Sequence, residues 1–226
     1  MTRAGARLAV ARVAGVVGVL ALATAVTFAS HAPATAKVTS FLAKYSPARL
    51  AAGRVWTLPT SAFLLGHPHM LGPTSLMIAL VFLPYALWQG IGRAGITAMS
   101  GHIVSTLVVA AVVLPGSLLG WSTATTITHT LDYGSSAALA ACAGGLAVLL
   151  GRQIPVVGGL VLALVAGFFV VHLLTVPKLD ANVADIEHLV ALFTGAAVEW
   201  SLAMMRSRRP LPITGPAPLS VAGVRA

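Results

Sequence analysis

The sequence predicts an all-α membrane protein built as a bundle of six transmembrane helices, and three observations carry that prediction. Of the 226 residues 58% are hydrophobic and only 8% charged, whereas a soluble domain carries charge on about a quarter of its residues. Too little polar surface is left to coat a water-exposed globule. Second, uncharged stretches recur at close to the ~20 residues that a bilayer-spanning helix needs. Third, the basic residues behind the net charge of +9, from 14 Lys and Arg against five acids, cluster at the two ends. That placement suits attraction to anionic lipid and makes nucleic acid an unneeded partner. The one cysteine, Cys142, excludes an internal disulfide and a Cys-based metal cage.

The spans follow in order. Arg3, Arg7 and Arg12 precede an uncharged apolar stretch, Val13 to Ala29. Its 17 residues exceed the 7–15 of a signal-peptide core, so it reads as a retained first span, although Ala34-Thr35-Ala36 offers a cleavage-like site. Residues 30–71 form a long loop with Phe41, Tyr45, Trp56 and four basic residues. Leu71 to Ile91 is span two, kinked at Pro84. Span three runs from Ile96 to Leu118, followed by a Ser/Thr-rich loop, Gly120 to Leu131, and by Asp132, a candidate cap. Span four, Tyr133 to Gly151, carries Ala140, Gly144 and Ala147 at three- and four-residue spacing, which predicts close packing at the centre of the bundle. Span five lies between Arg152 and Lys178. An acidic loop with Asp180, Asp185 and Glu187 leads to span six, Ile186 to Met205. The membrane domain is therefore 1–205, and the basic, Pro-rich tail 206–226 is expected to be disordered.

With both termini in the cytoplasm, nine of the 14 Lys and Arg lie inside and five outside, four of the five in the long loop. Even-numbered spans then run inward, so Ser135 and Ser136, heading span four, share a depth with His188, heading span six. A serine hydroxyl becomes a nucleophile when a base takes its proton, and histidine is the commonest base. Glu199 lies on nearly the same helix face as His188, roughly 16 Å deeper. His102, placed near the cytoplasmic end of span three, is its expected partner in a buried structural pair. His67-Pro-His69 looks like half a metal site, but no carboxylate lies nearby in sequence.

Three motifs in chain order carry a family resemblance. Arg54-Val-Trp-Thr-Leu-Pro-Thr-Ser-Ala-Phe63 resembles the W-R-x-x-T-S-x-F segment in the first loop of rhomboid intramembrane proteases. Gly134-Ser135-Ser136-Ala137 resembles their G-x-S-G, and His188 with Gly195 their span-six H-x-x-G-x-x-x-G. The resemblance covers residues 50–205 and implies a Ser136/His188 dyad that needs no acid partner. It further implies oxyanion or substrate contacts from Gly134, Ser135 and Ser75, transmembrane protein substrates or clients, a bacterial plasma-membrane location, and neither cofactor nor metal. The chain departs from the family pattern where span two carries Ser75 and Ala79 instead of H-x-x-x-N, and Ala137 and Ala191 replace glycines. These departures resemble the actinobacterial rhomboid-like branch. They leave a rival reading open, a catalytically inactive bundle that binds or escorts membrane proteins, because losing one oxyanion donor costs about 10²–10³ in rate.

Overall fold

The computed structural model describes residues 3–130, 134–176 and 178–207. Among these the fold is helical throughout, and six helices are long and apolar enough to cross a bilayer. The chain is thus a multi-pass membrane protein of the helical-bundle class. The expected Asp132 cap and nearly all of the expected disordered tail lie outside the described residues.

The spans are α1 (Arg3–His31); a composite of a 3₁₀ turn with α5 (Leu71–Met77) and α6 (Leu83–Gln89); α7 (Ile91–Leu118); α9 (Ser135–Gln153); α10 (Pro155–Thr175); and α11 (Leu179–Ser207). Between the two halves of span two lies one π turn, Ile78–Phe82, immediately before Pro84. Proline cannot donate to the carbonyl four residues back, and a π turn is one way a helix absorbs that loss. Gly90, at φ +91°, turns α6 into α7. This conformation is unstrained only without a Cβ.

Three expected loops are corrected by the structure. Residues 30–71 hold three short helices, α2 (Ala36–Ala43), α3 (Pro47–Ala51) and α4 (Thr57–Ser61), and they fold onto the bundle, burying Tyr45, Thr57, Ser61, Leu64 and Leu65. The segment 120–131 holds α8 (Ser122–His129), which packs on α7. The acidic loop is also absent, since Asp185 and Glu187 sit within the first turns of α11.

The core is where α7, α9 and α11 meet, and α9 is the most enclosed span. Ala140, Gly144 and Ala147 are all buried, as their spacing predicts. A Cβ on Gly144 would fall 1.9 Å from the Leu192 carbonyl oxygen, and one on Gly195 1.9 Å from that of Ala141. The two backbones therefore touch, which only residues without a side chain permit. The third helix closes in through Gly101, whose Cβ would meet Ala141 at 2.1 Å and the Ala191 carbonyl at 3.2 Å. By contrast, α1 and α10 expose long rows of Leu, Val and Phe, the surface expected against lipid.

Candidate active site

The start of α9 is anchored before any chemistry is considered. The Gly134 N–H donates to the Ser61 carbonyl at 3.2 Å, which ties the head of the helix to α4. Beside it His102, fully buried, places Nε2 2.8 Å from the Leu58 carbonyl and 2.9 Å from Ser61 Oγ. A carbonyl only accepts, so Nε2 carries the proton. A Cβ on Gly134 would lie 1.8 Å from the His102 ring, so the glycine is the space that the imidazole occupies. His102 is therefore a brace between α7, α4 and the α9 start.

That placement corrects the expected His102–Glu199 pair. His102 stands 11 residues into α7, roughly 16 Å from its start, because the helix begins at Ile91 rather than Ile96. Glu199 is paired elsewhere: Tyr85 donates its hydroxyl proton to Oε2 at 2.7 Å and the Gln89 amide donates to Oε1 at 2.9 Å. Thr97 bonds the Tyr85 hydroxyl at 2.9 Å, and Arg93 donates to Gln89 Oε1 at 2.8 Å. Tyr85 and Gln89, four residues apart, present one polar stripe of α6 to the carboxylate, a signal that was available in the sequence.

Ser136 and His188 occupy facing stripes. On α9 the stripe runs Ser136, Ala140, Gly144; on α11 it runs His188, Leu192, Gly195, Glu199. Gly144 touches Leu192, and Gly195 touches Ala141. About two turns back toward the helix starts, Gly144 leads to Ser136 and Gly195 to His188. Ser136 is exposed. His188 lies against Phe169 of α10, ring centroids 4.7 Å apart at 23°, and its Nδ1 is buried without a hydrogen-bond partner among the described residues. No hydrogen bond joins the serine to the histidine in this state. Phe169 also packs on Ala137, Ala140, Ala141 and Ala191, so it fills the groove between the two helices below their heads. No sequence motif marks it.

One of the two acids that precede His188, Asp185, is taken by another partner. Asp185 Oδ2 is 2.6 Å from His172 Nδ1, pinning α10 to α11. The expected oxyanion contacts divide. Gly134 has committed its N–H to Ser61, and the Ser75 hydroxyl, half-buried on α5, makes no hydrogen bond among the described residues. Ser135 turns away from His188 into an apolar cavity of about 110 Å³ walled by α1, α5, α7 and α9, where Thr74, not Ser75, is the lining residue. The first-turn N–H groups of Ser135, Ser136 and Ala137 have no intrahelical acceptor, as at any helix start. His67 and His69 stack on each other at 5.2 Å, and no three metal-ligating side chains converge among the described residues.

Comparison with known protein families, characterised proteins and solved structures returned no match to the chain.

Proposed function

We propose that the chain is a rhomboid-like serine protease of the bacterial plasma membrane, both termini cytoplasmic, that cleaves transmembrane segments near the outer face through Ser136 and His188. The observation that carries this reading is the pair of facing stripes, with an exposed serine at a helix start and an imidazole whose Nδ1 is buried without a partner. In the reaction His188 takes the Ser136 proton as Oγ bonds to the carbonyl carbon of an unwound substrate segment. Charge developing on the carbonyl oxygen is met by N–H groups of the first α9 turn, which have no acceptor within the helix, reinforced by the helix dipole. His188 returns the proton to the departing amine. A water molecule, losing a proton to the same ring, then cleaves the acyl ester and regenerates the serine.

A fluorophosphonate probe tests the proposal on purified protein in bilayer discs. Wild type is expected to be labelled, with Ser136→Ala and His188→Ala unlabelled. Absence of labelling in wild type, or its persistence in Ser136→Ala, overturns it. The rival reading, a non-enzymatic bundle that binds or escorts transmembrane segments, is favoured by one observation: Gly134 and Ser75 contribute no assembled oxyanion donor. It predicts an unlabelled wild type that photo-crosslinks a transmembrane peptide as well as Ser136→Ala does.

A further inference from the structure

The helices α2 and α3 and the segment that follows α3 border an open basin of about 470 Å³ whose lining includes Lys37, Lys44, Arg49 and Arg54 together with Ser40 and Phe41. Four cations from 18 consecutive residues thus face one space with no acid among the lining residues. None of the four forms an ion pair among the described residues, where the one salt bridge is His172–Asp185. The two arginines are held rather than trailing. The Arg49 guanidinium donates to the carbonyls of Ser40 and Lys44 and to Ser40 Oγ, and Arg54 lies over the Phe41 ring at 4.7 Å. Burial and the neighbouring Arg54 charge push the Arg49 pKa below its ordinary value, a sign of crowding that a bound anion would relieve. Folding like charges together costs free energy unless an anion offsets it.

The rim shows where that anion comes from. Phe41, within the lining, and Val55 and Trp56, which follow Arg54 in the chain, are exposed, with Phe41 and Trp56 packed at 5.7 Å; Val38 and Leu42 continue the exposed apolar surface on the side of α2 away from the basin. Aromatic and aliphatic side chains around a cationic pocket are at home at the headgroup level of a bilayer, where one end of each group is apolar and the other wet. A soluble phosphate would gain nothing from this rim. We infer that the basin is a binding site for the phosphate headgroup of an anionic phospholipid, whose acyl chains lie along the exposed apolar face of α2. The inference is independent of any chemistry at Ser136. It also accounts for the four basic residues on the side that the charge rule leaves poor in them: they answer a lipid of that leaflet.

Because Arg49 also braces the backbone, Lys44→Gln/Arg54→Gln is the test variant, with Arg152→Gln at the opposite end of the bundle as control. Retention of phosphatidylglycerol against phosphatidylcholine is read by native mass spectrometry of protein released from mixed-lipid discs. Short-chain phosphatidylglycerol and inorganic phosphate are titrated separately against the Trp fluorescence of the full-length chain. The wild type and Arg152→Gln are expected to prefer phosphatidylglycerol, and the double variant to lose about 30-fold in affinity, near fivefold per cation. Equal retention of the two lipids, an unchanged double variant, or displacement of the lipid by millimolar inorganic phosphate would each overturn the assignment, the last in favour of a free-phosphate site.

Discussion

Two polar groups that share one face of α11 have opposite surroundings. Glu199 sits in a closed chain of donors, Thr97 to Tyr85 and Arg93 to Gln89, with both carboxylate oxygens engaged. His188, three turns away, has a buried Nδ1 with no partner among the described residues and is stacked on Phe169. In hydrocarbon an unmet polar group costs several kcal/mol, so a satisfied network stabilises while an unsatisfied one must be maintained by its surroundings. The contrast separates structural polarity from polarity that is free to react, a distinction invisible to residue type alone.

The largest effect that sharpens this contrast is on reactivity without stability. Ser136→Ala should lower probe labelling by 10³-fold or more yet shift unfolding in detergent titrations by no more than about 0.5 kcal/mol. A serine variant that unfolds like a Glu199 variant would make Ser136 a structural group. Next in size, Glu199→Ala strands Tyr85 and Gln89 and should cost about 1–3 kcal/mol. Tyr85→Phe should cost about 0.6–1.7 kcal/mol, and the pair together less than the sum, because they share one bond. The smallest effect is a null. Since His102 and Glu199 belong to separate networks, the losses from His102→Ala and Glu199→Gln should add within about 0.3–0.5 kcal/mol. A larger coupling energy would mean that the two networks communicate through α7.

The six spans were legible because hydrocarbon selects for long uncharged stretches, and the centrality of α9 because small residues at helical spacing have few other uses. The short helices α2, α3, α4 and α8 were hidden, since five to eight mixed residues give no sustained period. For the candidate site, counting span directions is what suggests a common level for Ser136 and His188. The partner of Glu199 is not legible from span boundaries, because Arg93 hides the first turn of α7, Ile91–Gly95, and starting the span at Ile96 puts His102 a turn and a half too close to the helix start. Tyr85 and Gln89 stand inside an otherwise apolar stretch, and only their four-residue spacing marks them as one polar stripe. Phe169 could not be found at all, because a phenylalanine in a lipid-facing helix is indistinguishable by sequence from one that stacks on an imidazole.

The close contact of α9 with α11 has a consequence for biogenesis. Helices that meet through glycine, alanine and buried polar groups give up the aliphatic side chains that drive partitioning, and α9 and α11 are the least apolar of the six spans, whereas α10 between them is the most apolar. Each central helix is therefore a poor passenger when it leaves the insertion machinery alone. α10, joined to α9 across Ile154 and packed through Gly158 against Gly151, supplies the surplus that retains its neighbours until the central pair can close. The helix that contributes least to the core is the one that delivers it.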